Sequence, residues 1–240
     1  MTDIHSASAN YIIALVIVFV VFVFWWLLLR KKDRHQRILL MGCSNGGKTA
    51  LFSQLNFGKS FPTYMSMKEN VGQVANDKHR VEIVDIPGNE RIGKNLFDEY
   101  KNNVKGIIFV VDSESVQKEV KDVAEFMFNL LTDPTIRATC KEILVLCNKQ
   151  DLDSSKGPAV VQMLLEKELS VLRNLKSKQL DSTSQDTGGK KKLLFLGHKK
   201  KAFEFSQLKP INVTFAESIL TGSEVEESKF DTVKYWLNKF

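Results

Sequence analysis

Gly42-Cys43-Ser44-Asn45-Gly46-Gly47-Lys48-Thr49 follows the apolar run Ile38-Leu39-Leu40-Met41 and runs straight into Ala50-Leu51-Phe52. A strand, then G-x-x-x-x-G-K-T, then a helix is a constellation aimed at phosphate. Its glycines let the backbone wrap closely, so that successive N–H groups through Ala50 converge on an anion at the start of a helix. Lys48 brings a point charge to the outer phosphates, and the Thr49 hydroxyl has the length to ligate a magnesium ion held against them. Such a loop reads phosphates and leaves the base open.

Two more polar stretches sit at the ends of apolar strands. Val81-Glu82-Ile83-Val84 leads into Asp85-Ile86-Pro87-Gly88. There a carboxylate can hold a magnesium-bound water, and Gly88 can bring its N–H to a terminal phosphate with no side chain in the way. Ile143-Leu144-Val145-Leu146-Cys147 leads into Asn148-Lys149-Gln150-Asp151. Guanine presents N1–H and its 2-amino group side by side, a donor pair that one carboxylate accepts together, and adenine has no such pair on that edge. Asp151 is therefore the expected guanine reader, with the Lys149 stem along the base plane and the Asn148 amide bridging this loop to the phosphate loop. Either four-residue pattern alone is weak. In this order, each behind an apolar strand, they specify a guanine-nucleotide site. The intervening residues 57–70 read as a polar loop. A nucleotide switch needs a hydroxyl there to complete the magnesium shell, and Thr63-Tyr64-Met65-Ser66 offers two, Thr63 and Ser66.

The elements that must position these loops alternate between strand and helix patterns. Residues 71–75 read as an edge strand, and Gly106 to Asp112 as a strand buried on both faces. Val116, Val120, Val123, Phe126, Met127 and Leu130 recur at helical spacing, as do Val161, Leu164, Leu165, Leu169 and Leu172 after Pro158. Residues 175–201 are largely polar and read as a mobile insertion. Ile211 to Ala216 form a last strand, followed by Ser218-Ile219 and a helix with Phe230, Val233, Trp236 and Leu237 on one face. The expectation is an α/β fold over 38–240, with a mostly parallel central sheet and helices on both faces.

Ahead of that domain, residues 11–29 contain no charge. As a helix they reach about 28 Å, close to a bilayer's hydrocarbon thickness. Asp3 precedes the run and bulky Trp25-Trp26-Leu27 closes it, which is unlike a cleaved signal peptide. Arg30, Lys31, Lys32, Arg34 and Arg37 all follow it, so residues 1–10 are expected outside the cytosol and everything after the basic linker 30–37 within it. The net charge of +6 is concentrated: residues 30–37 carry plus four and 176–201 plus six, leaving minus four for the remainder. The body is not a basic surface, which removes the main support for direct nucleic-acid binding. Cys43, Cys140 and Cys147 show neither metal-ligand nor disulfide spacing, and the four histidines form no cluster.

Together these motifs resemble the Ras-like GTPases of the Arf/Sar branch. More narrowly, a membrane span ahead of such a domain resembles the beta subunits of the signal recognition particle receptor. Val110 to Ser113, Glu119 to Phe126, Cys147 to Asp151, Leu165 to Leu169 and Phe203 to Leu208 carry the narrower likeness. The resemblance implies a single-pass endoplasmic reticulum protein with a lumenal N-terminus and a cytosolic P-loop GTPase domain binding GTP and Mg2+. It also implies an alpha-subunit partner and, through it, ribosomes bearing signal sequences and the translocation machinery. Carried over by position, Gly42 to Ala50 wrap the phosphates, Thr49, Ser66 and (through water) Asp85 serve magnesium, and Gly88 serves the gamma phosphate. Ser66 is preferred to Thr63 because it lies eighteen residues after Lys48, the spacing of Arf-like proteins. Asn148, Lys149 and Asp151 read guanine, with the Ile219 N–H beside Ser218 facing its carbonyl, although Ser218-Ile219-Leu220 departs from the usual S-A-K. Many of these GTPases place Gln after D-x-x-G to orient the attacking water, and the beta subunits usually place His. Asn89 stands there instead, one methylene shorter than Gln, so hydrolysis is expected to be slow or partner-dependent. A constitutive GTP-bound tether and a vesicle-coat GTPase share the binding motifs, and the permanent span argues against the second.

Overall fold

The computed structural model describes residues 15–25, 36–59, 66–75, 80–183, 195–198, 201–220 and 227–240. They belong to two units, Met1–His35 and Gln36–Phe240. In the first, residues 15–25 form helix α1, with Leu15 to Phe22, Phe24 and Trp25 exposed. This is the middle of the apolar span expected over 11–29; the ends of that span lie outside the described residues. Among the described residues, no helix is long and apolar enough to cross a membrane.

The second unit runs β1 (Gln36–Met41), α2 (Lys48–Phe57), β2 (Asn70–Ala75), β3 (Arg80–Asp85), α3 (Glu90–Tyr100), β4 (Val104–Asp112), α4 (Val116–Thr132), α5 (Pro134–Thr139), β5 (Glu142–Asn148), α6 (Pro158–Thr183), β6 (Asn212–Glu217) and α7 (Glu227–Leu237). The sheet order is β2-β3-β1-β4-β5-β6. Every pairing is parallel except the antiparallel edge pair β2–β3. Successive strand residues enter two cores. Leu39, Met41, Ile107, Phe109, Ile143 and Val145 face α4, α5 and α6, while Ile38, Leu40, Ile108, Val110, Leu144 and Leu146 face α2 and α7. That double burial is why these strands read as continuous apolar runs. The expected α/β architecture is the observed one, and the motif loops leave the carboxyl ends of β1, β3 and β5, where open α/β sheets bind ligands.

Two boundaries differ from expectation. Arg37, grouped with the linker cations, belongs to β1: its guanidinium pairs with Glu82, donates to Asn102 O at 3.2 Å, and lies over the Tyr100 ring. The polar stretch 175–201 is not insertion throughout. No Gly or Pro interrupts α6 before Gly188, so the helix continues to Thr183. Beyond it, Leu196 is fully buried, and the buried Arg173 guanidinium donates to Leu196 O at 3.2 Å, His198 O at 3.1 Å and Lys201 O at 2.6 Å. Residues 184–194 and 199–200 lie outside the described residues.

The α2/α7 face leaves no room beside Gly106 on β4. A Cβ there would lie 2.6 Å from Phe240 Cζ and 2.7 Å from Trp236 Cη2. Gly106→Ala is expected to destabilise the domain by about 1–3 kcal/mol by overpacking. Urea unfolding checks this, and the loss should shrink when Trp236→Phe removes the crowding ring edge.

The three cysteines are free thiols. Burial pushes Cys140 and Cys147 up from 9.0 to about 12. Below pH 9 the thiols hold their protons folded or unfolded, so their contribution is fully present; above it the unfolded chain sheds protons that the folded state keeps, and stability falls. The urea midpoint is expected to drop between pH 9 and 11, and to drop less in Cys140→Ala and Cys147→Ala.

Candidate functional site

The phosphate loop turns from the end of β1 into α2 through left-handed backbone at Asn45 (φ 62°) and Gly47 (φ 99°). At Gly47 the requirement for glycine is doubled, since a Cβ would also meet Asn148 Nδ2 at 2.3 Å. Lys48, the first residue of α2, is buried and donates to Cys43 O at 2.7 Å, so its ammonium curls over the loop. Burial lowers its pKa, while Asp85 and then Cys43 oppose that. An anion seated on the loop would favour the charged ammonium further. The Cys43 thiol is pushed up to about 11, chiefly by burial, so at neutral pH it is held as the protonated thiol. Ser44 is half-buried and Ala50 fully buried.

The expected magnesium residues come together. Thr49 Oγ1 lies 3.0 Å from Ser66 Oγ and donates to Asp85 Oδ2 at 2.9 Å. Asp85 is fully buried at the end of β3, and its Oδ1 has no hydrogen-bond partner among the described residues. Burial raises its pKa, while hydrogen bonds from Asn70 and Thr49, then the charge of Lys48, pull it back. A buried carboxylate oxygen without a donor, beside two hydroxyls, fits a hydrated divalent cation, whose bound water would donate to it. No three His, Cys, Asp or Glu side chains cluster among the described residues, so oxygen donors of this kind are what the site offers. Thr63, Tyr64 and Met65 lie outside the described residues.

Gly88 closes the cradle from the β3 side: a Cβ there would fall 2.6 Å from Ser44 N and 2.7 Å from Lys48 Nζ. The residue after it caps a helix. Asn89 is the N-cap of α3, its Oδ1 accepting from Arg91 N at 3.1 Å and Ile92 N at 3.3 Å. The oxygen that would accept a hydrogen bond from an attacking water already accepts two from backbone N–H groups, which would add to its short reach as an obstacle. The N–H groups of a first helical turn have no partner within the helix, which explains why an Asn here is drawn to them.

On the base side, Asn148 is buried and central. Its Nδ2 donates to Gly46 O at 2.9 Å, and its Oδ1 accepts from Ser218 Oγ at 3.2 Å, tying three loops together as expected of a bridging amide. Ser218 N donates to Cys147 O at 2.9 Å and Gln150 N to Ser218 O at 3.3 Å. This register sets half-buried Ile219 beside the site. Lys149 is left-handed (φ 65°), and its ammonium pairs with Asp112 Oδ2 at 2.5 Å, which holds its stem in place. Asp151 stands exposed on the turn that follows.

Sequence reasoning missed Asp112 and Asn70. Asp112 both anchors Lys149 and accepts from Glu114 N (3.0 Å) and Ser115 N (3.4 Å) ahead of α4. Asn70 Nδ2 donates to Asp85 Oδ2 at 3.0 Å. An aspartate ending a strand four residues before a helix is a legible capping signal. A lone Asn opening an edge strand is not.

Comparison with known proteins agrees with this geometry. Residues 33–213 match the family model described as signal recognition particle receptor beta subunit. The chain is 35% identical over 235 residues to the mouse signal recognition particle receptor subunit beta, covering 95% of this chain and 85% of that protein. Among solved structures it is similar to a chain of the mammalian SRP receptor, with TM-score 0.70 and 33% identity, covering 85% of this chain and 99% of that one. It also shares the fold of a chain in the SRb-GTP/SRX complex from Chaetomium thermophilum, with TM-score 0.64 and 16% identity over 85% and 98% of the two chains.

Proposed function

The chain belongs to the signal recognition particle receptor beta subunit family, and from that premise we propose that it is a GTP- and Mg2+-binding subunit that anchors the receptor's alpha subunit at the endoplasmic reticulum membrane. In this reading residues 11–29 cross the bilayer with the N-terminus in the lumen. The GTPase domain faces the cytosol, and ribosomes bearing signal sequences reach the translocation machinery through the alpha subunit. The observation that carries it is the Asn148 amide held between Gly46 O and the Ser218 hydroxyl, which brings the phosphate loop, the guanine-reading loop and the Ser218 loop to one place. Bound Mg2+ would neutralise charge between the outer phosphates, with Thr49 and Ser66 as ligands and Asp85 holding a water. The mammalian receptor's fold and the SRX partner of the fungal chain support the alpha-subunit reading.

The test is retention of GTP and GDP over ATP by the purified full chain, then capture of the alpha subunit by GTP-loaded and GDP-loaded forms. Selective guanine retention and capture that depends on the loaded nucleotide support a switch; retention of adenine nucleotides instead defeats the reading. A second reading, GTP kept as a structural cofactor by a constitutive tether, is favoured by the committed Asn89 amide. A partner that binds both forms equally cannot be switched by the nucleotide, so equal capture selects that reading. In either case single-turnover cleavage by the chain alone should be slow, and fast turnover without partner would overturn the role given to Asn89.

A further inference from the structure

We propose that Asn70 is a positioning residue for the metal shell: its side-chain amide fixes the Asp85 carboxylate so that the free carboxylate oxygen is presented to the divalent cation's water. This rests on the guanine-nucleotide and magnesium reading above.

Asn70 opens β2 and is the register partner of Asp85, the last residue of β3, across the antiparallel edge pair. Its Nδ2 donates to Asp85 Oδ2 at 3.0 Å, the same oxygen that accepts from Thr49 Oγ1 at 2.9 Å. Two donors therefore hold one oxygen, and the other, Oδ1, is buried with no partner among the described residues. The division matters because the Thr49 hydroxyl is already shared, lying 3.0 Å from Ser66 Oγ. If a cation draws on the oxygens of Thr49 and Ser66, Thr49 alone leaves Asp85 a single hydrogen bond about which the carboxylate can swing. Asn70 supplies the second hold, and it comes from β2, which carries none of the residues assigned to the cation. Groups that orient metal ligands in this way change metal affinity by about 10- to 100-fold.

The experiment measures release of fluorescent GDP from the full chain while free magnesium is titrated, and again in EDTA. It compares wild type with Asn70→Ala and Asn70→Asp. In Asn70→Ala the magnesium concentration that half-suppresses release should rise about 10-fold or more. Excess magnesium should restore the slow rate, and the EDTA rate should stay within about twofold of wild type. Asn70→Asp keeps the shape but replaces the donor by a second carboxylate, and should shift the titration at least as far. Thermal melts without nucleotide or metal show whether either variant is folded. Equal acceleration in magnesium and EDTA would make Asn70 a packing residue and overturn the proposal, as would a titration unchanged in both variants. Absence of a magnesium effect in wild type would overturn the underlying site reading, a result distinct from failure of the variants alone.

Discussion

Asp151→Asn is expected to weaken GDP and GTP binding by about 1,000-fold while leaving the fold intact. In the proposed site the carboxylate would accept from two adjacent guanine donors, and each charged hydrogen bond is worth about 1.5–3 kcal/mol, so losing the pair spans roughly two to four decades. The amide of Asn can accept one donor, but its NH2 then faces the other, and that mismatch is what makes such sites discriminate strongly. Because Asp151 is exposed on a turn, the substitution should move stability by no more than about 0.5 kcal/mol. Xanthine nucleotides, which carry a carbonyl where guanine has the amino group, should regain affinity in the variant. Competition binding of the two diphosphates checks both halves; GDP affinity held within tenfold would mean that the base is read elsewhere.

Asn148→Leu should act on fold and ligand together. The amide is buried and satisfies Gly46 O and the Ser218 hydroxyl at once, so an apolar replacement strands two polar groups. At about 1–3 kcal/mol each, the expected loss is about 2–6 kcal/mol, or roughly 4–24 °C in Tm for a domain of this size. Thermal melts of nucleotide-free protein measure the first effect. Nucleotide retention measures the second and should be lost even at temperatures where the variant stays folded, because the phosphate loop and the Ser218 loop are no longer joined. A melt within 2 °C of wild type would show that the bridge is dispensable.

Much of this architecture was legible because parallel strands buried on both faces have to be apolar throughout, and the polar loops that interrupt them stand out. Thr49 and Asp85 could be grouped from motif order alone, since a strand end and a helix start leave them one place to meet; the loop between offered Thr63 and Ser66, and the Arf-like spacing chose Ser66. The limits have physical causes. Arg37 reads as a linker cation because its partner Glu82 lies 45 residues away, across a strand pairing that no local pattern announces. The stretch after Leu175 reads as loop from its polarity, yet helix continues wherever nothing breaks it, and Arg173 gathers the far side through backbone carbonyls, which have no sequence signature. Asn70 was invisible for a similar reason: its importance lies in which residue faces it across the ladder, not in its neighbours.

The cap on α3 couples the onset of that helix to the residue that follows Gly88. If Asn89 is to orient an attacking water through Oδ1, that water competes with two backbone N–H groups for the same acceptor, so a firm first turn of that helix would slow hydrolysis. Under the proposed function, the lifetime of a bound triphosphate would then depend on helix onset, adjustable by anything that grips or loosens Glu90 to Gly93 without touching the phosphate loop.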